Sequence, residues 1–323
     1  MRALVARRLL QAVVIVALAA TATFLLVKLA PGDPFTDMVD NPRIPAEIRE
    51  RWRIKWGLDR PAHEQYVLYL RNLTRGELGW SFSKHRPVSH AIADALPNTL
   101  LLMSVGLIGA FLLGITAGVV RAGRRGSATD RALGAGTLVF YSMPEFWLAT
   151  MAMLVFAYWV PIFPTSGVKS ADLYDYLSPV GKVMDRLWHL VLPATTLMLV
   201  IAAIIARYQR AAVLDVATQD FVRTARAKGL PEREVLWRHI LRNALFPVIT
   251  LAGLSLPLLV GGTVFIEQVF AWPGIGGLAV GAIAARDHAL VMAIVVMASV
   301  LVALGSLLAD LLYVVADPRV RAH

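Results

Sequence analysis

The 323-residue chain is 57% hydrophobic and 17% charged, with a mean hydropathy of +0.62 and a formal net charge of +10. Soluble domains carry about 25% charged residues, and their apolar residues are spread in amphipathic patterns. Here they gather into long blocks, which excludes an ordinary soluble fold and points to a polytopic membrane protein. The positive charge does not mark a nucleic-acid binder, because the basic residues cluster beside apolar blocks. The absence of Cys excludes a disulfide framework, a thiolate metal site and a Cys nucleophile.

Six blocks reach the roughly 20 residues that a helix needs to cross a hydrocarbon core. They fall near 9–30, 96–120, 132–160, 187–206, 245–268 and 289–315. Helices are expected because every backbone polar group must be satisfied inside lipid. Gly106, Gly114, Pro144, Pro193 and Pro257 are tolerated there. Block one follows Arg7 and Arg8, and Ala20-Thr21-Ala22 resembles a cleavage site. Its apolar run continues through Phe24-Leu25-Leu26-Val27, so it reads as a retained span and not a signal peptide.

Residues 31–95 form an insert. Pro45 opens a short helix that Gly57 can end, and Pro61 opens a second with Tyr66, Tyr69 and Leu70 on one side. Trp52, Trp56 and Trp80 suit a membrane-interface or partner-facing surface. The short loops set the orientation. Arg2, Arg7, Arg8, Arg121, Arg124, Arg125, Arg131, eight basic residues from Arg207 to Arg242, and Arg319 and Arg321 lie on one face. Only Lys169, Lys182, Arg186 and Arg286 occupy the short loops of the other. Both termini are therefore expected in the cytoplasm and the insert outside.

The loop 207–243 carries its own punctuation. Asp220 is expected to cap a helix running to Lys228, and Gly229 to supply the left-handed residue that ends it. Pro231 reads as the first position of a second helix, with Glu232 and Glu234 in its first turn and Arg238 and Arg242 toward its end. Thr224, Ala225 and Ala227 are small, while Arg223, Arg226 and Lys228 are basic. Such a helix–Gly–helix hairpin can enter a groove on a soluble partner. It can equally lie on anionic headgroups.

The segment 220–230, with Arg238-His239-Ile240-Leu241-Arg242-Asn243-Ala244-Leu245 and Pro247, resembles the EAA loop of permeases from binding-protein-dependent peptide and nickel ABC importers. Arg223 stands where the general pattern has Glu, as in the peptide-class variant. The resemblance extends along the chain through Pro31-Gly32-Asp33-Pro34, Gly57-Leu58-Asp59, Gly76-Glu77-Leu78-Gly79 and Leu96-Pro97-Asn98-Thr99-Leu100. It continues through Pro144 with Phe146-Trp147, Phe163-Pro164, Ser166-Gly167, Phe270-Ala271-Trp272-Pro273-Gly274 and Asp317-Pro318-Arg319. It implies an all-α permease of the type I importer architecture with six transmembrane helices, forming half of a translocation pore. The implied partners are a second homologous permease, two cytoplasmic ABC ATPase subunits or domains, an external solute-binding protein and the lipid bilayer of a bacterial or archaeal cytoplasmic membrane. Asp220, Phe221, Arg223, Thr224, Ala225, Arg226, Ala227, Lys228, Gly229, Arg238 and His239 are the implied coupling-loop residues. The chain has no GxxxxGK[ST] loop, so it is expected to be non-catalytic, with no cofactor of its own and ATP and Mg on partner chains.

The resulting division is residues 1–30 (N-terminus and first span), 31–95 (external insert), 96–315 (core, with coupling loop 207–243) and 316–323 (cytoplasmic tail). Inside the core, Glu145 falls midway along the third block. It reads as a contact for a substrate amino group or the neighbouring permease, or as a carboxyl group bonded at a Pro-kinked turn. It is not carried over from the family. Lys28 and Glu267 are expected to snorkel from span ends, Asp310 to pair with a cation, and His239 to pack or dock. No His spacing fits a metal. Di- or oligopeptides are the expected cargo, with nickel chelates, glutathione or short oligosaccharides as alternatives. An ion-coupled secondary transporter predicts several intramembrane carboxylates and inverted repeats with broken helices; one mid-span Glu and no evident internal repeat oppose it.

Overall fold

A computed structural model describes residues 2–29, 60–255, 258–261 and 263–316, with positions 45, 47, 51 and 54 between the first two segments. The expectations resting on residues 31–34, Trp52, Trp56, residues 57–59, Pro257 and residues 317–319 fall outside the described residues, as does the side chain of Asp310. The protein is built almost wholly from helices. Helix α1 (Arg2–Leu29) leads to α2 (Ala62–Thr74) and a two-stranded antiparallel hairpin, β1 (Trp80–Ser81) with β2 (Arg86–Pro87). Then come α3 (Val88–Gly123), α4 (Ala128–Ser142), α5 (Glu145–Met153, extended by a π-helical turn Leu154–Trp159) and α6 (Pro179–Val216).

Among the described residues, α1, α3, α6 and the last long helix (His288–Ala316) each contain a stretch long and apolar enough to cross a membrane. The third and fifth blocks depart from the expected straight spans. Helices α4 and α5 meet at 104° across Met143 and Pro144. Pro144 lacks an N–H and disfavours helical geometry at the residue before it. Met143 accordingly adopts extended backbone. The fifth block is divided among short helices, described below with the hairpin.

Helices α3 and α6 form the centre of the molecule and run parallel. Gly106 faces Leu197, Gly114 faces Ile205 and Gly118 faces Gln209, each pair displaced by the same number of positions. With buried Ala110, these glycines form a ridge of small residues spaced by four. That spacing keeps them on one helix face, and small residues let two backbones approach closely in a membrane.

Both ends of this pair are fastened. At the C-terminal ends, Asp130 in the first turn of α4 accepts from Arg121 Nε (3.2 Å) of α3, and from Arg210 Nε (3.1 Å) and Nη2 (2.8 Å) of α6. The Gly126 N–H also donates to it. Hydrogen bonding from Arg210 first, then from Gly126 and Arg121, holds the Asp130 carboxyl at about 2, well below the usual carboxylate range.

Candidate functional site

The coupling-loop segment is a hairpin of α7 (Asp220–Ala227) and α8 (Glu232–Glu234), the latter running on through a π-helical turn (Val235–Leu241) into Arg242–Ala244. Gly229 has φ +75° at the reversal, as the left-handed C′ position requires. Two expected details change. Gln219, not Asp220, occupies the N-cap position, and Asp220 is the first helical residue, its carboxylate 3.4 Å from Arg223 Nη1. Pro231 is itself the capping residue ahead of Glu232. The two arms are joined by Arg226 Nε to Glu232 Oε1 at 2.7 Å, and Arg238 pairs with Glu234 at 3.2 Å.

The hairpin has two faces. Val222, Ala225, Val235 and Ile240 are buried against Ala122 of α3 and Val213 and Val216 of α6, with Val119 alongside. Ala225, one of the small residues of the loop, thus belongs to the underside. On the other face Asp220, Phe221, Arg223, Thr224, Arg226, Ala227, Lys228, Gly229 and Arg238 are exposed, and His239 is half-buried. The Arg223 side chain is 71% exposed. The apolar underside packs the hairpin against the C-terminal ends of α3 and α6.

Beyond the hairpin the fifth block continues as α9 (Phe246–Ser255), α10 (Leu258–Gly261) and α11 (Val264–Val269), followed by α12 (Ile275–Ala284) and α13 (His288–Ala316). Glu145 is the first residue of α5, just past the bend, instead of midway along a straight helix. It is half-buried beside Thr263, which precedes α11. Among the described residues, Glu145 Oε1 and Thr263 Oγ1 are buried without a hydrogen-bond partner. The Phe146 and Phe265 rings meet at 6.1 Å, so the bend and the break touch. A concavity of about 390 Å³ opens at the bend, lined by Val139, Ser142, Met143, Pro144 and Trp147.

Glu267 does not snorkel. It is 1% exposed, and its carboxylate accepts from Thr99 Oγ1 (2.8 Å) and from the Gly277 N–H (2.8 Å). Thr99 accepts in turn from the Ile275 N–H (2.8 Å), and Trp272 Nε1 donates to the Asn98 carbonyl (2.9 Å). Gly274 and Gly276 leave room for the carboxylate, since a Cβ on either would meet it. This network ties the fifth block and α12 to the N-terminal half of α3. Nearby, buried Asp287 accepts from Ser81 Oγ (2.6 Å), Ser83 Oγ (2.8 Å) and the Ser83 N–H (3.0 Å), anchoring the β hairpin at the start of α13. Residues Thr99, Glu267 and Asp287 have partners far away in sequence, so no local pattern announces them. Among the described residues no group of three or more His, Asp or Glu side chains is placed to hold a metal ion.

Long apolar helices arranged around a parallel central pair, with a charged helical hairpin clamped to one end, define a membrane-embedded permease of the ABC importer type. The fold is similar to that of a chain of the methionine ABC transporter MetNI, solved in inward-facing conformations, at a TM-score of 0.52 and 21% identity over 72% of this chain and 96% of that one. The family model described as "Binding-protein-dependent transport system inner membrane component" matches residues 95–322, and the model of its N-terminal region matches residues 1–103. The chain is 41% identical over 321 residues, 99% of both chains, to the oligopeptide transport system permease protein AppB of Bacillus subtilis. It is 37% identical over 313 residues, 93% of both, to the di/tripeptide transport system permease protein DppB of Pseudomonas aeruginosa. The chain belongs to the family of binding-protein-dependent transport system inner membrane components. It is a non-catalytic, membrane-spanning permease subunit of an ABC importer.

Proposed function

We propose that this permease forms half of a pore importing di- or oligopeptides, beside a second homologous permease. Two ATPase subunits or domains bind ATP and Mg on the cytoplasmic side, and an external solute-binding protein delivers the cargo. In this reading both termini and the 220–244 hairpin are cytoplasmic, and the 31–95 insert is external. The names of full-length relatives, oligopeptide and di/tripeptide permeases, support the cargo.

The observation that carries the coupling role is the hairpin's two-faced burial. Its apolar underside is fixed to α3 and α6, while Phe221, Arg223, Thr224, Lys228 and Gly229 stand free for a groove on the ATPase. Closure of the ATPase dimer on ATP then pulls the α3–α6 pair as a unit. Gly229→Val tests this. Nothing lies within 4 Å of a Cβ placed there, so the effect acts through the backbone alone. A β-branched residue resists φ +75°. In reconstituted vesicles Gly229→Val should lose ATPase association or peptide uptake, while Gly229→Asn, which tolerates left-handed geometry, should retain both. Unchanged association and uptake in the Val variant would remove the coupling assignment.

A further inference from the structure

Two helix interruptions meet inside this protein, and membranes restrict where that can happen. Non-helical backbone at membrane depth is tolerated only where protein covers it or where it lines a water-filled cavity. Here the bend at Met143 and Pro144 and the break before α11 lie against each other, joined by the Phe146–Phe265 ring contact. A concavity of about 390 Å³ opens beside the bend. The pattern matches discontinuous helices that surround a solute path.

The concavity itself is lined by apolar side chains and Ser142; Glu145 directly follows its Pro144, with Thr263 beside Glu145. Glu145 supplies a carboxylate and Thr263 a hydroxyl close enough to interact with it, and neither buried oxygen has a partner at full hydrogen-bond geometry among the described residues. A carboxylate facing lipid is costly, and such groups usually turn toward an aqueous path. Phe146, the next residue along α5, is 50% exposed, and Phe265, against its ring, 58%. Aromatic faces attract cations through the ring quadrupole. A carboxylate, a hydroxyl and two open aromatic faces constitute acceptor chemistry, while the Arg207 guanidinium is held over the Tyr141 ring on the other arm of the bend.

We propose that Glu145 and Thr263, with Phe146 and Phe265 beside them, form a site on the translocation path for the primary ammonium group of the passing solute. The site rests on the pore reading above and narrows it. A free amino terminus is held briefly by charge and by ring faces, while the rest of the solute slides past the apolar bend. The site makes the path cation-preferring, so amine-bearing solutes pass more readily than equally sized anions.

The chain contains no cysteine, so one introduced thiol reports alone. Ser142→Cys places it in the concavity, three residues from Glu145 and hence within about 11 Å. In the assembled importer, modification by aminoethyl methanethiosulfonate is compared with modification by its anionic sulfonatoethyl analogue. Both form a mixed disulfide and release methanesulfinate. The expected result, after normalising to a free thiol, is a preference of about tenfold or more for the ammonium reagent. Glu145→Gln in the Ser142→Cys background should reduce that preference toward unity, and Glu145→Asp should keep it.

A second measurement needs no change at Glu145. Diglycine at millimolar concentration should slow modification of the Ser142→Cys variant, and N-acetyldiglycine should not. Equal normalised rates for the two reagents overturn the proposal. So does a thiol that is protected in the assembled importer and reactive in the isolated permease, which makes this face a permease–permease contact. A thiol unreactive in both, as a lipid-facing one is, overturns it too. If the importer carries some solute other than peptides, peptide uptake is absent while the cation preference at Ser142→Cys persists, so the two failures are distinguishable.

Discussion

A methyl group on Gly114 tests the close approach of α3 and α6. Built on the backbone, its Cβ stands 2.6 Å from Ile205 Cβ, 2.8 Å from Ile205 Cγ2 and 2.9 Å from the Ala202 carbonyl oxygen. Favourable carbon–carbon contact begins near 3.5 Å. The obstructing groups are the branch point of a stiff side chain and a piece of backbone, so relief requires α6 to move. Overpacking of this kind costs about 1–3 kcal/mol. Two rigid obstructions place the cost in the upper part of that range, about 2–3 kcal/mol; Gly→Ala in a helix interior returns about 1 kcal/mol, leaving a net loss of roughly 1–2 kcal/mol.

Gly106→Ala provides the contrast, because all three nearest atoms belong to the Leu197 side chain, beginning at its far end. A rotamer change can absorb that methyl, and the net effect should stay within about 0.5 kcal/mol. Purified variants in detergent, unfolded by heat or denaturant and followed by Trp fluorescence, separate the two. Ile205→Gly should couple favourably with Gly114→Ala by about 1 kcal/mol, since it removes both Ile205 atoms that obstruct the methyl. A Gly114→Ala variant as stable as the parent, or no more affected than Gly106→Ala, would refute the packing argument.

Three other substitutions have defined outcomes. Thr99→Val removes the hydroxyl that bonds Glu267 and receives the Ile275 N–H, leaving a buried carboxylate short of a donor; a loss of about 2–4 kcal/mol is expected in the same unfolding assay. Tyr69→Phe deletes a hydroxyl that is buried with no partner among the described residues, and should leave stability unchanged or raise it by up to about 1 kcal/mol. Asp130→Asn should lower the thermal midpoint at pH 7. Because the folded carboxyl sits at about 2, below the usual 3.8, its contribution is complete above pH 3.8 and fades as pH falls toward 2. The gap between Asp130→Asn and the parent should therefore be constant from pH 7 to 5 and close below pH 4, as midpoints across that range will show.

The features legible in the sequence are those whose causes are local. Apolar runs mark α1, α3, α6 and α13, and the Pro, Gly and acidic punctuation between Asp220 and Glu234 marks the hairpin to within a residue or two. Pro144 was visible, but a proline at that place is compatible with a mild kink as well as with 104°, and only packing decides. Gly106 and Gly114 looked like residues merely tolerated by a span, and Gly118 drew no reading of its own. Their spacing by four, completed by Ala110, is the signal for a helix-packing ridge. The burial of Glu267 and Asp287 and the bridging role of Asp130 depend on Thr99, Ser81, Ser83 and Arg210, far along the chain. No periodicity or spacing encodes those meetings.

The central claim is that the exposed face of α7 sits in a groove of the ATPase and carries its closure to α3 and α6. Phe221→Cys introduces the chain's single thiol on that face. Labelled with a benzophenone maleimide and irradiated in vesicles holding the complete importer, it should capture the ATPase, with a yield that changes between nucleotide-free and ATP-bound states. A Ser178→Cys label just ahead of α6, at the opposite end of that helix, should capture none. Failure of the Phe221→Cys label to reach the ATPase, together with labelling by a membrane-impermeant thiol reagent from outside, would contradict both the docking face and the orientation.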